Sequence, residues 1–354
     1  MLRIGFMGIG QAGGRFCQLA KAARYQSIVL NTAQVDLDGL TGIEPIKKLH
    51  LKGYEGAGKD RFVAKEAFDA HVAQIRHFAS THLSDMHVIC VAAALGGGTG
   101  SGMIREVAKL LCDMFPSKVI MTFLFLPMQD ESLKNKMNAI EAFSEISAVE
   151  DTGAMFLASS DVIKDRHRNL PLYEQYTLAS MAFLSDLYSL QQKTKMQSVY
   201  SNIDDMDVLT ALSERGCAML SSFAYDDATD TNTIQSRMEA SWRYNMLQVG
   251  ETTEIAKAVI VVEATSDIPE VAKVLPPSIK PYELYQGAFV SGSNKITTLL
   301  TGMALPYGIM RRYQEDVEQE EKQVEKMLHK RRTERYETDK IWTEQMRRKR
   351  SIRV

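Results

Sequence analysis

The 354-residue sequence is poor in the features that cross-link a protein or anchor it in a membrane. Its four cysteines have no paired spacing and lie among apolar residues, which argues against a disulfide framework and against a zinc site. The longest apolar runs, 88–95 and 119–127, are far shorter than the roughly 20 residues that cross a bilayer. The chain begins in a patterned strand rather than a signal peptide, so we expect a cytoplasmic protein without membrane contact.

The composition, with 45% hydrophobic and 24% charged residues, is that of a globular protein large enough for two domains. The net charge of −2 conceals an asymmetry near the C-terminus. Residues 315–325 contain six acids and one lysine, whereas residues 328–354 contain ten Lys or Arg and four Asp or Glu, a net charge of +6. This pattern is typical of a solvated helix and also of a docking arm for an acidic partner.

Short apolar runs alternate with amphipathic stretches in the first half, which predicts an α/β fold with a parallel sheet. We expect a long helix over 172–199, helical stretches over 208–223 and 233–247, and one charged helix from residue 308 onward. The predicted strands cover 2–7, 27–30, 87–93, 118–126, 154–158, 256–264, 287–291 and 296–303.

The first glycine-rich loop, Gly8 to Gly13, matches GxGxxG between a strand and a helix. Such a loop lets the backbone approach a phosphate at the N-terminus of the helix, and by itself it favours a dinucleotide site. That site needs an acid at the end of the second strand to hold the ribose. Here the strand ends in Asn31-Thr32, and the next carboxylate is Asp36, which argues against a nicotinamide-dependent oxidoreductase.

Two further glycine loops follow. Gly53 to Lys59 fits GxxxxGK, but Asp60 stands where a P-loop needs Ser or Thr for magnesium, so we do not expect a P-loop there. Gly96 to Gly102 has five glycines in seven residues between a strand and a helix. So many glycines form a concave nest of amide groups that can wrap a di- or triphosphate, and a tight turn alone does not require them.

The sequence GGGTGSG at 96–102 resembles the phosphate loop of the tubulin/FtsZ superfamily of GTPases, and other segments match in order. The resemblance implies an α/β, Rossmann-like, parallel-sheet GTPase domain, a long central helix, a smaller α+β C-terminal domain and a charged C-terminal helix. It implies that GTP or GDP, with Mg²⁺, is bound by Gly10, Gln11, Ala12, Gly13, Gly14, Asn31, Thr32, Gly56, Ala57, Gly58, Gly96, Gly97, Gly98, Thr99, Gly100, Ser101, Gly102, Glu131, Asn135, Tyr176 and Ser180. In this set Glu131 contacts the ribose and Tyr176 stacks on guanine. Ser180 replaces the Asp or Asn that reads guanine in the family, and Asn135 replaces an arginine.

The segment Asn202 to Val208 resembles the FtsZ loop N-x-D-x-x-D-V, which enters the nucleotide pocket of the next subunit. The resemblance implies that Asp204 and Asp207 are catalytic, since two carboxylates three residues apart can polarise the attacking water or help to hold the cation. Both residues also precede an apolar run, so helix capping is the alternative for the pair.

Within the superfamily the chain looks most like the TubZ-type tubulins of plasmids and phages. That likeness implies a head-to-tail filament that segregates or positions plasmid or phage DNA. A TubR-like DNA-binding adaptor on centromeric DNA would then bind the basic tail at Arg347, Arg348, Lys349 and Arg350. Direct contact of the tail with DNA or with the neighbouring subunit is an alternative.

Other candidate functions are an FtsZ-like division GTPase and a nucleotide-binding scaffold without turnover. The expected domains are 1–171 for GTP binding, 172–200 for the central helix, 201–307 for the activation domain and 308–354 for the charged helix.

Overall fold

The computed structural model describes residues 2–227, 229–250, 254–266, 269–277 and 279–351, with side chains except at 272, 328–330, 332–334 and 344–351. The strands are β1 Ile4–Ile9, β2 Gln26–Asn31, β3 Lys48–His50, β4 Val88–Ala94, β5 Val119–Leu126, β6 Ala154–Ser159, β7 Gly216–Ala224, β8 Lys257–Ala264, β9 Glu283–Val290 and β10 Lys295–Met303. The helices are α1 Gly10–Ala22, α2 Gln34–Asp38, α3 Arg61–Leu83, α4 Thr99–Met114, α5 Leu133–Ser147, α6 Ser160–Arg166, α7 Leu172–Lys193, α8 Asp205–Leu212, α9 Thr231–Arg243, α10 Val271–Val274 and α11 Tyr307–Ser351.

The described strands form one sheet in the order β3-β2-β1-β4-β5-β6-β7-β10-β8-β9. The first seven are parallel neighbours, which confirms the predicted α/β class. They are continuous apolar runs because helices cover both faces of a parallel sheet. Since every parallel strand ends at the same edge, the loops that follow β1, β2, β4 and β5 converge there.

Two apolar layers cover the two faces of the sheet. Helices α3, α4 and α5 contribute to one layer, and α1, α7 and α8 contribute to the other. The second layer contains a cluster of rings in which Phe16 stacks on Phe123 with centroids 4.3 Å apart, and Phe183 lies 4.7 Å from Phe123. Large rings in contact across three elements hold α1 and α7 against the same strand.

The expected helix over 208–223 is wrong in its second part. Helix α8 ends at Leu212, and Gly216 to Ala224 form strand β7, which pairs with β10 along most of its length. Gly216 has φ +120°, a left-handed conformation that a helix does not accept. The strand expected at 287–291 begins earlier, at Glu283. Edge strand β3 was not predicted.

Helix α7 is shorter than expected, because it ends at Lys193 and not near Val199. The segment that follows α7 lies against strand β9 and forms hydrogen bonds with it. The backbone N–H of Val199 donates to the carbonyl of Ala288 at 2.8 Å, and the Ser198 hydroxyl bonds to the backbone of the same residue. An extended segment can pair with a strand edge in this way and a helix cannot.

Helix α11 packs on the body through its first three turns. Met310, Tyr313 and Val317 are buried there, and the Tyr313 hydroxyl donates to the carbonyl of Pro127 at 2.7 Å. The buried Lys136 ammonium lies 2.9 Å from the Asp316 carboxylate. The helix therefore begins against the loop that follows β5. No helix in the described part of the chain is long and apolar enough to cross a membrane.

A buried ion pair joins α7 to the second half of the sheet. Lys193 Nζ lies 2.7 Å from the Glu263 carboxylate, and both side chains are buried. We expect Glu263→Gln to lower the free energy of unfolding by roughly 3–5 kcal/mol, because it leaves the buried ammonium without its counter-charge. The exposed pair Lys273–Glu270 is the control, and Glu270→Gln should cost less than about 1 kcal/mol. Urea unfolding of both variants tests this, and equal small losses would contradict it.

Candidate functional site

A cavity of about 410 Å³ opens at the edge of the sheet where the parallel strands end. Its walls come from α1, from the loops after β4 and β5, and from the first turns of α7. Its volume is that of a small-molecule or cofactor site. Seven of the predicted binding residues line it: Gln11, Ala12, Gly96, Gly97, Glu131, Tyr176 and Ser180.

The loops after β1 and β4 are in direct contact. A Cβ on Gly13 would come within 2.1 Å of the Ala92 carbonyl oxygen, so α1 begins against β4 with no space for a side chain. The hydroxyls of Thr32 and Thr99 lie 2.8 Å apart and join the loop after β2 to the start of α4. Three of the predicted phosphate loops are thus brought together by backbone contact and one hydrogen bond.

Asp36 is engaged by neighbouring amides. The Asn31 side-chain amide donates to one of its carboxylate oxygens and the Gln11 amide to the other, each at 3.0 Å. This carboxylate therefore orders the first two loops. Both Asp36 carboxylate oxygens are occupied by these amides. This agrees with the sequence argument that the end of the second strand has no acid available to hold a ribose.

Gly97 differs from its neighbours in the glycine-rich loop. A Cβ on Gly98 would contact Ala57, and one on Gly100 would come within 2.8 Å of the Ala94 carbonyl oxygen, so close packing alone accounts for both glycines. A Cβ on Gly97 would meet no heavy atom of the described chain within 4 Å, and it would point into space beside the cavity. Packing does not require glycine at this position, whereas close approach of a ligand to the backbone does.

The third loop is held against the second and the fourth. The N–H of Gly56 donates to the Thr32 carbonyl at 3.2 Å. The buried Asn138 amide on α5 donates at 3.0 Å to the carbonyls of both Lys59 and Gly97. Asp60, which argued against a P-loop, caps α3 by accepting from the N–H of Phe62.

A buried arginine supports the start of α4. The Arg61 guanidinium donates to the Ser101 carbonyl at 3.2 Å and forms ion pairs with Glu141 and Glu145 of α5. Burial opposes ionisation of Glu145, yet hydrogen bonds from Lys65 and Arg61 bring its pKa below the ordinary value. The glycine-rich turn is thereby fixed to α5 by charge-assisted bonds.

Glu131 and Asn135 lie on one wall of the cavity. One Glu131 carboxylate oxygen accepts from the N–H of Met128 at 3.0 Å, and the other accepts from the Asn135 side-chain amide. Asn135 thus orients the carboxylate that is predicted to hold the ribose.

The far end of the cavity is aromatic. The Tyr176 ring meets Phe125 edge-on at 5.7 Å, and burial raises the pKa of its hydroxyl. The Arg15 guanidinium lies 5.9 Å from the centre of the Tyr173 ring. These rings form a surface on which a planar base can stack.

Asp204 and Asp207 lie away from the cavity and form a capping box on α8. Asp204 accepts from the N–H groups of Met206 and Asp207, and Asp207 accepts from the N–H of Asp204 at 2.9 Å. The capping alternative is therefore realised within the single chain. Asp205, the residue between them in the same turn, links them to the end of α7, because its carboxylate accepts from the Thr194 hydroxyl and the Lys195 ammonium. That end of α7 lies beside the residues before β1, since the Gln191 amide donates to the carbonyl of Leu2. The pair thus lies at the amino edge of the parallel strands, and the cavity lies at their carboxyl edge.

Several supporting residues were missed from the sequence. Asn138 and Arg61 contact loops 40 or more residues away, and neither belongs to a recognisable motif. Arg15, Tyr173 and Thr177 line the cavity because they face it from α1 and α7. Their helical spacing could have identified them, because Arg15 lies four residues after Gln11, and Tyr173 lies three residues before Tyr176 and four before Thr177. The side chains of Arg347, Arg348, Lys349 and Arg350 lie outside the described residues.

The cavity is a cleft at the carboxyl edge of a parallel sheet, lined by seven of the residues predicted to bind a nucleotide. Comparison with known proteins shows which family this part of the chain resembles. Residues 3–158 match the Tubulin/FtsZ family, GTPase domain. The tubulin-like protein CetZ of Pyrococcus horikoshii is 19% identical over 326 residues, which cover 85% of this chain and 86% of that protein. TubZ of Clostridium botulinum C phage is 29% identical over 153 residues, which cover 43% of this chain and 42% of that protein.

The structural similarity to known proteins covers nearly the whole chain. A crystal structure of a GTPγS-form protofilament of Bacillus thuringiensis serovar israelensis TubZ superposes with a TM-score of 0.78 at 16% identity, covering 92% of this chain and 94% of that one. Residues 3–158 therefore match the Tubulin/FtsZ GTPase-domain family, within a chain that has the tubulin/FtsZ fold.

Gly97 allows a direct test of the cavity. We expect Gly97→Ala to weaken binding of a fluorescent GTP analogue roughly tenfold or more, because the added methyl occupies the space beside the cavity and overpacking costs about 1–3 kcal/mol. Its thermal unfolding should match that of the parent, since the methyl meets no atom of the described chain. Gly292→Ala, at an equally open glycine far along the chain, is the control. Unchanged binding by Gly97→Ala would contradict this assignment.

Proposed function

We propose that this protein is a GTP-driven, tubulin-like filament protein whose subunits polymerise head to tail and hydrolyse GTP at the interface between them. The observation that carries the proposal is the separation of Asp204 and Asp207 from the cavity within one chain. In this proposal the cavity at one edge of the sheet and the two aspartates at the opposite edge are the two halves of a hydrolytic site. A second copy is needed to bring them together, and such a head-to-tail contact repeats into a filament.

In this proposal the cavity binds GTP through the residues predicted from the sequence. The amides of 96–102 and the start of α1 surround the phosphates, Glu131 and Asn135 hold the ribose, and Tyr176 stacks on the base. Mg²⁺ bound together with the nucleotide would supply neutralisation of the phosphate charge. The open space beside Gly97 and the aromatic end of the cavity fit a nucleotide.

Exposed apolar side chains at both edges support the contact. Val35 and Phe62 are exposed beside the phosphate loops. Tyr200 and Met206 are exposed beside the two aspartates. Exposed apolar side chains that are grouped together on a surface are typical of a protein–protein contact. We propose that the second pair covers the first in the neighbouring subunit, where Asp204 and Asp207 position the attacking water or help to hold the cation.

The cellular role that we propose is the segregation or positioning of plasmid or phage DNA in the cytoplasm. The basic C-terminal segment, with Arg347 to Arg350, would engage a TubR-like adaptor on centromeric DNA. Its support is the net charge of +6 over 328–354 and the presence of TubZ proteins among the relatives. The domain boundaries at 171, 200 and 307 stay a prediction. An FtsZ-like role in division is the alternative, and a long charged helix such as α11 disfavours it.

Asparagine substitutions separate catalysis from capping. Asparagine is as good an N-cap as aspartate at position 204, and at position 207 its amide oxygen can still accept from the N–H of residue 204, so Asp204→Asn and Asp207→Asn should keep α8 intact. We expect filaments to form with GTP while phosphate release falls roughly a hundredfold, the contribution of a general base. Light scattering and phosphate release in the same sample measure both properties.

Asp230 provides the control, because its carboxylate caps α9 by accepting from the N–H of Thr233, and it belongs neither to the cavity wall nor to α8. Asp230→Asn should assemble and turn over GTP like the parent. If Asp204→Asn and Asp207→Asn also turned over GTP at the parent rate, the two aspartates would be structural caps and the assignment would be wrong.

A further inference from the structure

The first turns of α11 hold residues 127–131, the part of the loop between β5 and α5 that we call the ribose loop after the predicted role of Glu131. The hydroxyl of Tyr313 donates to the carbonyl of Pro127 at 2.7 Å. Tyr313 is buried, and burial raises the pKa of its hydroxyl, so this group remains a hydrogen-bond donor at neutral pH. Pro127 itself lines the cavity. One contact from α11 therefore reaches the cavity wall.

Asp316, which lies three residues after Tyr313, joins the ribose loop to α5. One of its carboxylate oxygens accepts from the side-chain amide of Gln129 and lies 2.9 Å from the ammonium of Lys136. Lys136 is buried, so Asp316 also supplies the counter-charge of a buried cation. Charge-assisted bonds of this kind are roughly twice as strong as those between neutral groups. The contact therefore holds the middle of the ribose loop and the first turn of α5 in one arrangement.

Glu131 is oriented by two residues that lie next to the α11 contacts. Its carboxylate accepts from the N–H of Met128 and from the side-chain amide of Asn135. Each of these two donors is a direct chain neighbour of a residue that α11 contacts. The loop has a further anchor on α6, where the Asp161 carboxylate accepts from the N–H of Gln129 at 3.1 Å. The position of the Glu131 carboxylate thus depends on how α11 is docked.

We propose that Tyr313 and Asp316 are positioning residues for the Glu131 carboxylate, so that the docking of α11 raises the affinity of the cavity for the ribose of a nucleotide. The inference rests on the proposed function, in which Glu131 holds the ribose. Position matters because a carboxylate oxygen accepts from a sugar hydroxyl only within about 3 Å. Coupling between two sites is reciprocal, so a partner that lifts α11 from the body weakens nucleotide binding, and the nucleotide weakens that partner by the same factor.

Nucleotides with and without ribose hydroxyls test the proposal in the full-length protein. Binding of GDP and of 2′,3′-dideoxy-GDP is measured by calorimetry for the parent, Tyr313→Phe and Asp316→Asn. The parent should bind GDP roughly tenfold or more tightly than the dideoxy analogue, because the analogue cannot donate to the carboxylate. In each variant this ratio should fall about threefold or more, while the affinity for the dideoxy analogue changes less than about twofold.

Each variant has a matched control. Tyr225→Phe also removes a buried tyrosine hydroxyl that donates to a backbone carbonyl, that of Glu263 at 2.9 Å, and neither residue lines the cavity. Glu320→Gln removes an exposed charge from α11 four residues beyond Asp316. Both controls should keep the parent's ratio of the two affinities.

The ratio separates positioning from a merely structural role, which would lower thermal stability or weaken both nucleotides equally. An unchanged ratio in Tyr313→Phe and Asp316→Asn would overturn the inference and leave the proposed function intact. A parent that binds GDP and dideoxy-GDP equally would refute the ribose contact of Glu131, and the inference would fall with it. A parent that binds neither nucleotide would overturn the proposed function itself.

Discussion

The close contact between the start of α1 and strand β4 is the constraint on which the site depends. Gly13 lies so near the Ala92 carbonyl that a side chain cannot fit, and this contact brings the loop after β1 beside the loop after β4. The hydrogen bond between Thr32 and Thr99 adds the loop after β2. With these loops fixed, Gly97 borders a space that the described chain leaves open.

Helix α7 sets the second constraint. It starts at the aromatic end of the cavity, where Tyr176 and Ser180 line the wall, and it ends beside the first residues of β1. Its 22 residues span about 33 Å, so the loop with Asp204 is held a whole sheet away from the cavity of its own chain. Under the proposed function, this separation keeps the aspartates from acting on a nucleotide in the cavity of their own chain. An interface between copies is then a structural requirement of the proposed chemistry.

The sequence allowed the parallel strands of the first half, apart from β3, and the glycine loops to be predicted because local patterns encode both. Buried parallel strands are short apolar runs, and Gly10 to Gly14 and Gly96 to Gly102 follow such runs directly. Strand β7 was mistaken for a helix because its apolar residues 217–220 lack alternation, and the left-handed conformation of Gly216 is not visible in a sequence. Asn138 and Arg61 could not be predicted, since their roles arise from contacts between α5, α3 and distant loops. Whether Asp204 caps a helix or acts on a neighbour depends on assembly, which a single chain does not encode.

The central claim is that hydrolysis needs two copies, and the most direct test is the rate of phosphate release per protein molecule across a protein titration with GTP. The account predicts a low rate for dilute protein and a rise that begins at the concentration where light scattering begins. ATP in parallel reports how strictly a pocket with Ser180 reads the base. A rate per molecule that is constant from dilute to concentrated protein would contradict a shared site.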